Sequence, residues 1–304
     1  MITIIPNKIV RGILFSLLAL FVLPYGTAQA ADTLKPYVLA SKQKADMADV
    51  VSKTKSALEG ANFRILGEYS PYAAAHIIVV TNDALLKNAA QTEMGGYGAV
   101  QRVSVTQDKD EVQVAFTNPV YMANAYRMKG DLQAVRQQLA TALGAVEDFG
   151  SEKGLTPEKL RKYHYKWLMP YFDEPWNLAK FGSHDKAVEA VEKGLAAKKG
   201  GVSKVYRVDI PGKEQTVFGV HMTTECSGDE YIMSRIDFAE PKSSAHLPYE
   251  MLVSGDTVYA LQAEFRIAIS FPDLSMMGSN SFFSIMCAPD AIEGALGAVV
   301  GVKR

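Results

Sequence analysis

Five histidines, two cysteines and twelve methionines carry the most readily titrated or metal-seeking atoms of this 304-residue sequence, so their spacing comes first. His76, His164, His184, His221 and His246 are scattered along the chain. His76 and His221 fall in strand-like patterns, where a histidine hydrogen-bonded in or beside the core is the expectation, ahead of a catalytic or metal role. Met276, Met277, Met286 and Cys287 lie close together, a soft set that would suit copper. Methionine also fills gaps in apolar cores, and this spacing matches no ligand repeat, so core packing is the expectation. Glu225, Asp229 and Glu230 offer oxygen ligands for a cation such as Ca²⁺ but lack a fixed glycine-and-oxygen spacing, which reads as a solvated loop. Cys226 and Cys287, a single pair, read as a disulfide in an oxidising compartment. The alternative is a pair of reactive or metal-binding thiols, although neither has a second Cys or His at ligand spacing. Patterns of serine hydrolases, zinc proteases, phosphate-binding loops, dinucleotide binding, haem attachment and EF-hands are missing, so no catalytic residue and no cofactor is assigned.

Two groups of residues are better suited to binding than to catalysis. Tyr121, Tyr126 and Arg127 follow the break at Asn118-Pro119, where an arginine beside two phenols can hold an anion; the plain reading has Asn-Pro capping a strand and the tyrosines covering the sheet edge. His164, Trp167, Tyr171, Phe172 and Trp176 lie in an aromatic stretch from Gly150 to His184 that holds both tryptophans. They can line a pocket between domains or glue two domains together, and burial at the junction is the expectation. Thr156, Pro157 and Glu158 open this stretch as a helix start, with Leu160, Tyr163, His164 and Trp167 on one face, and Pro170 and Pro175 end it.

The elements that position these residues begin after an export signal. Lys8 and Arg11 precede an apolar run from Gly12 to Leu23, and Ala28-Gln29-Ala30 fits a cleavage site after Ala30, giving a mature chain placed in the periplasm or secreted. After cleavage no transmembrane segment is expected. Losing Lys8 and Arg11 takes the net charge from -1 to -3, with 32 - 2 = 30 basic residues against 33 acidic ones, no excess to draw nucleic acid or acidic lipid. The partners left are an unknown small molecule or a periplasmic protein.

Alternating and near-continuous apolar runs then predict strand, helix, four strands and helix between residues 31 and 149, including a helix over 47–60 and hairpins around Ser70-Pro71 and Gln107 to Asp110. The same order recurs between residues 175 and 304, with helices over 186–199 and 288–300 and a long strand over 257–270. Ala142 to Val146 (ALGAV) reappears as Ala295 to Val299, a domain-sized offset. The expected divisions are a signal at 1–30, a first domain at 31–149, an aromatic helical hinge at 150–174 and a second domain at 175–304.

The runs VVTNDALLKNAAQ, GGYGAVQRVSV and FTNPVYMANAYR (Val79 to Gln91, Gly95 to Val105, Phe116 to Arg127) resemble the DUF302 family of bacterial proteins; LPYEMLV at Leu247 and the FPD segment at Phe271 resemble it more faintly. That resemblance implies a TBP-like α+β fold, here two tandem β-α-β4-α units whose curved antiparallel sheets each carry helices on one face. It implies no catalytic residue. The second half lacks the Asn-Pro-Tyr-Met-Ala run and holds both cysteines. The expected function is non-enzymatic: an exported protein that binds a small or apolar ligand or a protein partner, with a metal or redox role through Met, Cys and His as the alternative.

Overall fold

Strand β1 (Tyr37–Gln43) sits inside a six-stranded antiparallel sheet, and everything in the first half is arranged around it. The computed structural model describes residues 1–3 and 33–302, so the export signal expected at 1–30 lies almost wholly outside the described residues. Residues 33–302 belong to one compact unit.

After β1, α1 (Met47–Gly60) is started by Asp46, whose carboxylate accepts from the amides of Ala48 and Asp49, and it buries Val50, Thr54 and Leu58 at four-residue spacing. Strands β2 (Arg64–Tyr72) and β3 (Ala75–Thr81) form a hairpin; α2 (Asp83–Gln91), capped by Asn82, and a 3-10 turn at Gly95–Gly98 lead to β4 (Gln101–Asp108) and β5 (Glu111–Thr117). Asn118 caps α3 (Pro119–Ala125), which is followed by α4 (Gln133–Leu143) and the short β6 (Glu147–Phe149). The sheet order is β2-β3-β4-β5-β1-β6.

A one-turn helix, α5 (Pro157–Arg161), crosses to the second half. There β7 (Trp176–Lys180), α6 (His184–Ala196), β8 (Val202–Asp209) and β9 (Gln215–Met222) come first. Next are α7 (Asp229–Ile236), β10 (Tyr249–Ser254), β11 (Thr257–Ala260), α8 (Ala263–Ala268) and α9 (Ala288–Val299). Their sheet runs β7-β11-β10-β9-β8, antiparallel throughout. Read from its other edge, that is the order of the first sheet without β6, so the two halves share one α+β topology.

The halves share a core. At Gly67 of β2 an added Cβ would lie 2.2 Å from the carbonyl oxygen of Val205 in β8, so only glycine lets these two edge strands approach. The Gly95–Gly98 turn packs on β9 and β10, and a Cβ at Gly96 would strike Leu252 and Val217. The corresponding turn of the second half, Ser244–His246, packs on β3, β4 and β5 of the first. Each half thus inserts the turn before its third hairpin strand into the other.

Four expectations change. The hinge helix ends at Arg161, before Trp167, because Lys162 and the turns after it leave helical geometry and Leu168 takes a left-handed φ of 69°. The strand expected over 257–270 stops at Ala260 and continues as α8, whose Phe265, Ile267 and Ala268 reach the core at helical spacing. α7 and β6 were not anticipated: α7 begins within the acidic stretch read as loop, and β6 has only three residues. Among the described residues one stretch, Phe282–Val299, is long and apolar enough to cross a membrane by length and composition, and 44% of it is buried inside the protein, including Ile292 and Leu296 on the core side of α9.

Candidate functional site

The residues singled out from the sequence do not converge on one place. Tyr121 and Tyr126 are buried in the core, the Tyr121 hydroxyl without a hydrogen-bond partner among the described residues, and Asn118 Oδ1 accepts from the amides of Val120 and Tyr121 as a helix cap. Arg127 pairs with Asp173 at 2.7 Å and lies over the Phe172 ring, fastening the hinge segment to the first half. His164 packs on Tyr171, with ring centroids 4.6 Å apart. Trp176 starts β7 and packs partly buried against the core. Trp167 departs most from expectation: it is 83% exposed, and with Tyr171 it does not bury the junction. Leu160, Tyr163 and Phe172 do that instead, Tyr163 donating to the carbonyl of Ala268 at 3.1 Å. The tip beyond Tyr163 is carried outward by the turns that follow the short helix.

The sulfurs of Cys226 and Cys287 are joined, with Cα atoms 5.8 Å apart, so the bridge ties the turn Glu225–Ser227 to the start of α9. Met277 and Met286 are exposed rather than packed in the core. Among the described residues no group of three or more His, Cys, Asp and Glu side chains is placed to hold a metal ion. Asp229, expected in a solvated loop, is buried at the start of α7, where its Oδ2 accepts from the Tyr69 hydroxyl at 3.0 Å and lies 4.0 Å from His221 Nε2. Burial pushes its carboxyl up to about 8, against the lowering pull of the Tyr69 bond. The same burial lowers His221.

A second buried cluster lies across the halves. Glu250 of β10 accepts from Arg102 of β4 and, at 3.2 Å, from Arg266 of α8. Arg266 also donates to His246 Nδ1 at 2.8 Å and to the carbonyls of His246 and Pro248. All four side chains are buried, and desolvation together with the two arginines keeps His246 well below its usual range, hence neutral. Its Nδ1 is the acceptor, which leaves the proton on Nε2. This cluster fixes geometry between the halves and is closed to solvent.

Among several open clefts, one of about 400 Å³ lies where the end of the first sheet, the loop after α7 and the loop after α8 meet. Its apolar wall is Phe149 of β6, Ile236, Phe271 and Leu274, with the exposed Phe238 on the rim. Gly150 turns the chain at its edge with φ of 92°, where a Cβ would lie 2.7 Å from the Tyr37 ring, so the turn requires glycine twice over. Six carboxylates and one lysine complete the lining: Glu147, Asp148, Glu152, Asp237, Glu240 and Asp273 against Lys35.

Most of these acids are held. Asp148 pairs with Arg136 at 2.7 Å, and Glu240 with Lys109 at 2.6 Å and Lys42 at 3.4 Å. Asp273 accepts from the Ser151 hydroxyl and the Glu152 amide, joining the two loops that flank the cleft. Asp237 accepts from the Ser243 amide at 2.9 Å, yet the protein around it raises its carboxyl to about 7. The carboxylates of Glu147 and Glu152 make no ion pair or hydrogen bond among the described residues. The FPD segment at Phe271 was visible in the sequence and supplies two of the lining side chains; Phe149 and Phe238 carried no signal, being lone aromatics brought together by β6 and by the turn after α7.

The fold and these sites define an α+β protein of two similarly connected sheets with one shared core. Residues 37–146 match the family described as a domain of unknown function, DUF302, so the first half of the chain carries a segment similar to that family. No curated protein and no solved structure is detectably similar to the chain.

Proposed function

We propose that this is an exported, non-enzymatic binding protein, built by internal duplication of a DUF302 unit, whose ligand is a small amphipathic cation. The carrying observation is the junction cleft, in which an apolar wall with three phenylalanines adjoins carboxylates that outnumber their cationic partners. Its size is within the usual range for small-molecule sites, roughly 300 to 1,000 Å³, and aromatic faces with nearby acids are the lining that recognises ammonium groups. The common topology of the halves and the second occurrence of Ala-Leu-Gly-Ala-Val support the duplication. An oxidised cysteine pair suits an exported protein.

Charge in the cleft depends on pH through Asp237. Its carboxyl titrates near pH 7, so raising the pH through that value adds a negative charge beside the ligand, and an ammonium ion then binds more tightly. Titration of the protein with phenethylammonium between pH 6 and 8 tests this. Affinity should rise with pH, and Asp237→Asn should flatten the profile while leaving binding measurable. A profile equally steep in the variant, or no saturable binding at any pH, would reject the assignment. Phe238 stands exposed on the rim, so Phe238→Ala should leave stability nearly unchanged and weaken binding by up to about tenfold, the loss of one aromatic contact worth ~1 kcal/mol.

A further inference from the structure

Among the described residues, half of the large apolar side chains left exposed fall in two neighbouring loops. Trp167 and Leu168 are 83% and 81% exposed, and Met277, Phe283 and Met286 are 71%, 56% and 66% exposed. The two loops are fastened to each other, since Tyr165 stacks on Phe282 with centroids 5.6 Å apart and donates its hydroxyl proton to the carbonyl of Leu274. Solvent-exposed apolar side chains scattered singly need no explanation, whereas a concentration of this kind marks a binding surface.

The charges around these side chains indicate what the surface meets. From Leu274 to Cys287 the chain LSMMGSNSFFSIMC holds no charged residue. The limb leading to the tip is basic: Lys159, Arg161, Lys162 and Lys166 stand against Glu158, which is paired with Lys162 at 3.1 Å, while the returning limb carries Asp173, paired with Arg127 at 2.7 Å, and Glu174. Lys166, next in sequence to Trp167, lies beside the Tyr165 ring, so one cation is held at the base of the apolar tip, while Arg161 is engaged by the Met128 carbonyl. The whole chain is near neutral, so this is a local asymmetry. Tryptophan and leucine at a tip, cations behind them and an uncharged loop alongside make the pattern of a segment that enters the headgroup region of a bilayer. Leu168 holds a left-handed φ of 69°, a conformation unfavourable for this residue, which presents it beside Trp167 at the tip.

We propose that the protein docks peripherally on anionic membrane surfaces through Trp167 and Leu168, with Met277 and Phe283 beside them and Lys159, Lys162 and Lys166 contacting lipid phosphates. The inference does not depend on what the cleft binds.

The test uses the compact chain from Asp32 onward, which excludes the apolar N-terminal run, with Trp176→Phe so that Trp167 is the sole indole. Vesicles of phosphatidylethanolamine with about one-third phosphatidylglycerol should shift its emission to the blue and sediment the protein, and brominated acyl chains should quench it; binding should fall severalfold on replacing the anionic lipid by phosphatidylcholine or on raising the salt. Trp167→Ser with Leu168→Ser should reduce sedimentation at least tenfold without changing the thermal midpoint, because both side chains are already in water. Emission unaltered by vesicles, or sedimentation unaltered in the double variant, overturns the proposal. So does a soluble protein captured through the same residues when no vesicle binding is seen.

Discussion

Asp229 shows most plainly how burial sets chemistry in this chain. Its carboxyl is buried, and a folded-state value of about 8 means that the folded protein binds a proton which the unfolded chain releases near the ordinary aspartate value of about 3.9. The folded state therefore gains from that proton below the unfolded value and loses the gain as pH rises through about 8. Asp229→Asn mimics the neutral acid, so the variant should be within about 1 kcal/mol of the parent near pH 5 and progressively more stable relative to it by pH 9. Urea midpoints across that range check this; a constant difference between the two proteins would mean that Asp229 is ionised in the fold. The sequence showed Asp229 only as one of three acids in a stretch read as a solvated loop, because its hydrogen-bond partner Tyr69 lies 160 positions away.

At the scale of elements, the order of strands and helices was legible wherever local pattern and burial agree. The helix Met47–Gly60 and the strands Ala75–Thr81 and Glu111–Thr117 have the bounds that their periodicity predicts, with Asp46, Asn82 and Asn118 as caps or breaks. What failed had no local signature. α8 follows β11 with the same run of apolar residues, so strand and helix differ only in which neighbours they meet, and Trp167 was placed in a helix that ends six residues earlier at Arg161. The cleft was almost illegible, since Phe149, Asp148 and Phe238 come together only through sheet pairing of β6 and the turn after α7. The disulfide was legible from cysteine count alone. It spans 61 residues and ties the turn at Glu225–Ser227 to α9, so removing it with the pair Cys226→Ser and Cys287→Ser should cost about 4 kcal/mol on the chain-entropy account. Equal urea midpoints for the parent and the double variant would show that packing of α9 alone holds that corner.

The whole molecule is two similarly connected sheets held by shared apolar core, exchanged turns and one buried charge cluster. Glu250 offsets Arg102 and Arg266 at once, and losing one partner from a buried ion cluster leaves uncompensated charge. Glu250→Gln should destabilise by roughly 3 to 5 kcal/mol and loosen the packing of β4 on β10, seen as faster amide exchange in both halves. A change confined to the second half would show that the two sheets fold independently of this contact.

The cleft between them is the centre of the functional account, and calorimetric titration with phenethylammonium and with 2-phenylethanol, near-isosteric but uncharged, tests it most directly. The account predicts one saturable site per chain for the ammonium ion at pH 8, weakened by salt and by Phe238→Ala, with the alcohol binding at least tenfold more weakly. Equal affinity for the two, or ammonium binding indifferent to Phe238 and to salt, would contradict a cation site in the junction cleft.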